Sequence, residues 1–213
     1  MSYNSLIMTK LIIFDCDGTL FDTRIDIADS VNYARRHFGL EELPINQVTG
    51  YVGNGVEVLA EKSFAGTDIP AAKALEKIME FYSEHSADKS TPYPGVEGTL
   101  LLLEPVMAIV SNKPQALVEE LLVKHGMDRF FSDVIGGDTF NKKKPDPSPL
   151  HYLLEKYGTP PEEAMVVGDH EPDIQMARNA GVRSVYCNYG FFGNDTLGAD
   201  ASIDRFPELL NLL

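Results

Sequence analysis

The sequence predicts an α/β fold, a doubly wound parallel sheet core carrying an inserted helical cap. Three observations lead there. Short apolar runs without polar alternation mark strands buried on both faces. Helical patterns opened by Pro and closed by Gly alternate with those runs through the second half of the chain. One long block near the start holds helical patterns and no strand.

The strands expected are Leu11–Phe14, Val106–Val110, residues 165–167 and residues 182–187, with a weaker one at Asp133–Ile135 and a short edge strand at Ala201–Ile203. The helices between them run over 114–125, started by Pro114 and stopped by Gly126, then over 149–157, and over 173–180, stopped by Gly181. This alternation is Rossmann-like. From residue 22 to 89 the rhythm breaks: Ile25, Ala28, Val31, Ala34, Arg35 and Phe38 define one helical face, and Ala71–His85 a second helix. The segment is read as a helical cap domain spanning 22–89, set into a core domain made of 1–21 and 90–213. Ser90-Thr91-Pro92-Tyr93-Pro94-Gly95 is its turn-rich hinge.

Composition narrows the partners. The 213 residues carry 18 Lys+Arg against 32 Asp+Glu, a formal net charge of −14, which repels polyanions and argues against nucleic acid as a partner. A phosphorylated ligand must be small and held by a local cationic pocket. Residues 1–10 have neither an apolar nor an Arg-rich targeting pattern, and the apolar stretch 100–110 is broken by Glu104-Pro105, so no leader and no membrane span are expected. The chain reads as cytoplasmic, a monomer or homodimer, with Met1 or Met8 as its start. Cys16 and Cys187 are expected to be free thiols.

Ligands of a parallel sheet bind beyond the carboxyl ends of its strands. There the first strand runs into Asp15-Cys16-Asp17-Gly18-Thr19, the second into Ser111-Asn112-Lys113, and a later one into Gly168-Asp169-His170-Glu171-Pro172-Asp173, with Lys142-Lys143-Lys144-Pro145-Asp146-Pro147 between the last two. Asp15 and Asp17 are like charges that need a cation or a proton. Asp169 and Asp173 add two more carboxylates, and hard oxygen donors in this number suit Mg²⁺ together with a substrate phosphate. An aspartate can attack phosphorus while a second carboxylate protonates the leaving oxygen and then activates water. Asp-x-Asp-Gly-Thr arises by chance at roughly one in 10⁵ per position, and its place after a buried strand strengthens it. Ser111 suits either a phosphate or the cap of the following helix. Lys144 is the candidate phosphate-binding cation on a loop stiffened by Pro145 and Pro147, with Lys142 and Lys143 as solvent charges.

On these four ordered motifs the chain resembles the haloacid dehalogenase superfamily, and most of all its phosphoglycolate phosphatase group. The resemblance implies Asp15 as nucleophile and Asp17 as general acid/base. It also implies Mg²⁺ held by the Asp15 carboxylate, the Asp17 carbonyl and Asp169, with Asp173 as a further ligand or outer support. Ser111 and Lys144 match the phosphate-binding hydroxyl and lysine, Asn112 neighbours them, and Thr19 orients the first loop. The resemblance sets the cap over the site as a lid that selects the substrate. In the cap, Gly50-Tyr51-Val52-Gly53-Asn54-Gly55 is either a specificity loop, with Gly53 and Asn54 at the substrate, or a helix–helix turn. Arg24, at the start of the cap, is either a partner for a substrate carboxylate or, the favoured reading, an exposed helix arginine. His170, where relatives commonly carry Ser or Thr, is read as a surface histidine.

The function expected is Mg²⁺-dependent hydrolysis of a small phosphomonoester metabolite, phosphoglycolate first among the substrates. The alternatives are a pyrophosphatase or nucleotidase, a phosphosugar mutase, disfavoured because the early cap helix has no His before His37, and an inactive phosphate-binding module.

Overall fold

The computed structural model describes residues 8–193 and 196–213; the candidate start Met1 lies outside the described residues. In chain order the elements are β1 (Leu11–Phe14), β2 (Phe21–Asp22), α1 (Arg24–His37), α2 (Ile45–Thr49), α3 (Val56–Ser63), α4 (Ala71–His85), β3 (Thr91–Pro92), α5 (Val96–Leu100), β4 (Val106–Val110), α6 (Gln115–Lys124), β5 (Asp133–Ile135), α7 (Ser148–Tyr157), β6 (Ala164–Gly168), α8 (Glu171–Ala180), β7 (Arg183–Cys187) and β8 (Ala201–Ile203).

Six strands form one sheet in the order β5-β4-β1-β6-β7-β8, every pairing parallel. The alternation of a strand's side chains explains why its residues are apolar throughout. Ile12 and Phe14 join Met107, Ile109, Met165 and Val167 on one face beneath α5 and α6. Leu11 and Ile13 join Ala108, Val110 and Val166 on the other, against Leu150, Leu153 and Leu154 of α7 and Met176 and Ala177 of α8. The chain leaves β1 for β4 and β5 on one side, then returns to β6 on the other. The switch point therefore lies beyond the carboxyl ends of β1, β4 and β6.

Helices α1–α4 pack on one another around Ile27, Val31, Leu59, Ile78 and Tyr82, and Leu117 of α6 joins the same cluster. Two details differ from the sequence expectation. Asp22 belongs to a strand: Phe21 and Asp22 pair antiparallel with Pro92 and Thr91, so the chain's two crossings at this block form a short ribbon. Ile25 is 43% exposed, and the buried stripe of α1 runs through Ile27, Ala28, Val31 and Ala34. Ala28 and Ala34 let α1 approach α4 closely, and that packing sets the phase of the helix.

Asp26, in the first turn of α1, ties the two crossings together. Its buried carboxylate accepts hydrogen bonds from Ser90 N (2.7 Å), Ser90 Oγ (2.6 Å) and Lys89 N (3.0 Å). Asp26→Ala would strand the buried Ser90 N–H and free the Lys89 N–H at an exposed residue, and is expected to lower stability by about 1–3 kcal/mol in urea unfolding. A loss under half a kcal/mol would show that water replaces the carboxylate at little cost.

Candidate active site

The first motif is built by its backbone. Past β1, the Cys16 carbonyl accepts from Leu20 N (3.0 Å) and Phe21 N (3.1 Å), and Gly18 N donates to Phe21 O (2.9 Å). This tight loop needs Gly18 at φ +85°, where a Cβ would stand 2.2 Å from Asp169 Oδ2. Asp15 and Asp17 are thereby turned toward the ends of β4 and β6.

Asp15, Asp169 and Asp173 offer carboxylate oxygens within 4.8 Å of one another, all buried. Lys144 is the cation among them, its Nζ 2.6 Å from Asp173 Oδ1 and 2.8 Å from Asp15 Oδ1. The Asp15 contact is an ion pair off hydrogen-bond alignment, since Asp15 Oδ1 has no hydrogen-bond partner. Burial pushes the Asp15 carboxyl up to about 6, with Lys144 pulling it back, and pushes Asp169 well above the usual carboxylate range. Burial works against the Lys144 charge, but Asp15 and Asp173 outweigh it, and its pKa is raised. With all three carboxylates ionised, the one ammonium leaves two negative charges for a cation to compensate, and the donors are hard oxygens only. The set fits Mg²⁺.

Thr19 is fully buried and donates through Oγ1 to Asp169 Oδ1 (3.1 Å), so it orients a carboxylate from beneath the site. Phe191 N donates to the other oxygen, Asp169 Oδ2 (2.8 Å). Ser111 is buried at the end of β4, its Oγ accepting from Lys113 N (3.3 Å); the first N–H of α6, on Gln115, is bonded to Asp138 Oδ1 (2.8 Å), and Ser111 does not cap that helix. Asn112 works as a strut. Its Oδ1 accepts from Lys144 N (2.9 Å), while Nδ2 donates to Lys144 O (3.1 Å) and to Gly53 O (2.8 Å) in the helical block.

A cavity opens between this rim and the helices, lined by Asp15, Asp17, Ser111, Lys113 and His170 on one side and by Ile27, Val52, Val56, Leu59 and Tyr82 on the other. The centre of a water-sized sphere can sweep about 40 Å³ of it, room for a few small groups. Gly53 and Gly55 line it too, while Asn54 is exposed and outside the lining. The Gly50–Gly55 stretch links α2 to α3, and its Gly53 and Gly55 line the cavity.

Two side chains, His170 and Lys143, depart from their sequence readings, and a third, Lys113, had none. His170 is half-buried at the cavity: its ring stacks on Phe192 at 3.9 Å between centroids, and Gly53, at φ +105°, is so close that a Cβ would stand 2.1 Å from His170 Nδ1. Burial pulls its pKa down to about 4, so the ring is neutral at pH 7. Lys143 is ion-paired with Glu57 of α3. Lys113, which follows Ser111 and Asn112 in the sequence but had no role assigned, has only 2% of its side chain exposed, and its Nζ stands 3.1 Å from Asp17 Oδ1 and against Tyr82 Oη. Asp17 Oδ1 also accepts from Thr23 Oγ1 (2.8 Å). Arg24 is exposed as expected, forked on Asp22 and outside the cavity lining. Cys16 and Cys187 are free and buried. No helix among the described residues is long and apolar enough to cross a membrane.

Acidic oxygens beside a hydroxyl and a buried lysine, gathered at the switch point of a parallel sheet, make an α/β enzyme of the phosphatase class. The model of one family, the haloacid dehalogenase-like hydrolases, matches residues 12–187, and the chain belongs to that family. It is 42% identical over 193 residues to a phosphoglycolate phosphatase of Vibrio cholerae, covering 85% of each chain, and 37% identical to one of Vibrio parahaemolyticus, covering 96% of each. The crystal structure of a predicted phosphoglycolate phosphatase from Haemophilus somnus 129PT superposes with a TM-score of 0.91 at 32% identity, covering 96% of this chain and 97% of that one.

Proposed function

We propose that the chain hydrolyses a small phosphomonoester with Mg²⁺ through an aspartyl-phosphate on Asp15, and that phosphoglycolate is its substrate. The observation that carries this reading is the placement of Asp15 at the end of β1, one oxygen free of hydrogen bonds and in ion-pair contact with Lys144, beside two further carboxylates. Asp15, the Asp17 carbonyl and Asp169 would hold Mg²⁺, with Asp173 as a fourth ligand or as the brace of Lys144. When bound, the ion neutralises phosphate charge as it redistributes in the transition state.

The chain's own residues do the rest. Lys144 and Ser111 hold the phosphate oxygens, Asn112 fixing Lys144 by its backbone. An Asp15 oxygen attacks phosphorus as the bond to the leaving oxygen breaks, and Asp17 gives that oxygen a proton. Asp17 then takes a proton from water, which attacks phosphorus and breaks the bond to Asp15, releasing inorganic phosphate. Lys113 and Thr23 hold one oxygen of Asp17, leaving the other for these transfers. Helices α1–α4, within 22–89, act as the cap domain over a core formed by the remaining residues.

Phosphate release from phosphoglycolate, sugar phosphates, nucleotides, pyrophosphate and an aryl phosphate, with and without Mg²⁺, tests the reading. Metal-dependent turnover that favours phosphoglycolate supports it; no release above an Asp15→Asn control refutes it. Asp17→Asn is expected to form phosphoenzyme poorly and hydrolyse it slowly, lowering kcat about 10²–10⁴-fold. Normal turnover by that variant would remove Asp17 from the proton transfers.

A further inference from the structure

We propose that Lys113 and Tyr82 together bind a carboxylate on the leaving group, making the site selective for a short acid that carries its phosphate on the carbon next to the carboxylate. The inference rests on the phosphatase reading above and names the contact that selects the substrate.

The cavity has two chemically different ends. Ser111 and the neighbouring Lys144 serve the phosphate. At the other end the helical wall is apolar, and two nearby cations stand outside the cavity lining: Arg24, forked on Asp22, and Lys143, paired with Glu57. Among the described residues that line the cavity, Lys113 is the one ammonium. An anionic tail entering this space has no other full positive charge to meet.

Donor bookkeeping strengthens the point. An ammonium has three N–H groups and accepts nothing. Lys113 gives one to Asp17 Oδ1 and one to Tyr82 Oη, and retains a third. Because Tyr82 is the acceptor in that contact, its own O–H proton is free to donate. A third N–H and a phenol O–H, side by side on buried residues, form a two-donor cradle, and a carboxylate has two oxygens to accept them.

Position adds the spacing. Asp17 is the group that protonates the leaving oxygen, and Lys113 Nζ lies 3.1 Å from it. With the leaving oxygen at Asp17, a carboxylate on the adjoining carbon comes up to Lys113, whereas a sugar or nucleoside would bring neutral hydroxyls to the same ammonium. Lys113 follows β4 and Tyr82 sits on α4, so the bound carboxylate also joins core to cap.

The test uses the full chain with Mg²⁺ and two substrates, phosphoglycolate and 2-hydroxyethyl phosphate, which replaces the carboxylate by a neutral CH₂OH. Wild type is expected to prefer phosphoglycolate. In Lys113→Gln that preference, as a ratio of kcat/KM values, is expected to fall by about tenfold to a hundredfold, chiefly through KM, and Lys113→Arg to retain part of it. Tyr82→Phe, which keeps the ring and covers the case of a poorly folded Lys113 variant, is expected to reduce the preference by about three- to tenfold. Equal losses on both substrates through kcat, with a moved pH profile, would overturn the inference and leave Lys113 as a positioning residue for Asp17. Calorimetric binding of the two phosphates to Asp15→Asn, with and without Lys113→Gln, separates this inference from the catalytic reading. Carboxylate-selective binding that disappears with Lys113 supports the cradle even if wild type turns over neither compound, and equal binding overturns it.

Discussion

Asp15→Asn is expected to reduce phosphate release at least about 10⁴-fold while making the metal-free protein more stable at neutral pH. The loss of activity follows from chemistry, because an amide oxygen does not form the acyl phosphate that a carboxylate does. The gain in stability follows from burial. The folded Asp15 carboxyl titrates at about 6 against an ordinary 3.8, so between those pH values the unfolded chain gives up the proton while the folded chain keeps it. Stability from this group is therefore full below pH 4, falls as pH rises to about 6, and stays low above it. The gap corresponds to up to about 3 kcal/mol. Asn carries no such penalty, so the variant's advantage should appear above pH 6 and vanish below pH 4 in paired urea titrations without metal. Mg²⁺ should then stabilise wild type more than Asp15→Asn. A variant less stable than wild type at pH 7.5 would mean that the Lys144 ion pair outweighs the desolvation of Asp15.

What the sequence made legible is what neighbours in sequence decide. β1, β4, β5 and β8 fall on their expected residues, since a run buried on both faces is apolar whatever covers it. Asp15 and Asp169 converge because they follow the adjacent parallel strands β1 and β6, and Lys144 is brought to them by the hydrogen bonds of its backbone to Asn112. What escaped depends on contacts distant in sequence. Ile25 belongs to the apolar periodicity of α1 yet faces solvent, because α4 sets the phase. His170 is covered by Gly53 and Phe192, neither of which its own segment foretells. Lys113 looks like one more loop lysine until Tyr82 of α4 and Asp17 close around it. A signal for it was present: it directly follows Ser111 and Asn112 at a strand end already singled out.

Lys144→Met is expected to have the second large effect, and on both stability and turnover. Lys144 has 2% of its side chain exposed and is the single ammonium between Asp15 and Asp173. Methionine fills a similar volume but leaves the buried carboxylates facing one another. Removing one partner of such an ion pair costs about 3–5 kcal/mol, because the remaining charge is buried without compensation. In metal-free protein at pH 7.5 the variant should be destabilised by that amount or be unfolded. The difference should shrink as pH falls: the Asp15 carboxyl, already raised by burial and no longer pulled back by Lys144, takes up its proton in the folded state first. Mg²⁺ should recover part of the stability by supplying positive charge to the same oxygens, whereas turnover should remain depressed about 10²–10³-fold, since the phosphate loses a fixed cation that the metal does not replace. Lys142→Met, at a side chain 70% exposed two residues earlier, provides the control and should change stability by under about 0.5 kcal/mol. If both substitutions behave alike, the carboxylates relax without their lysine, and the electrostatic account of this site fails.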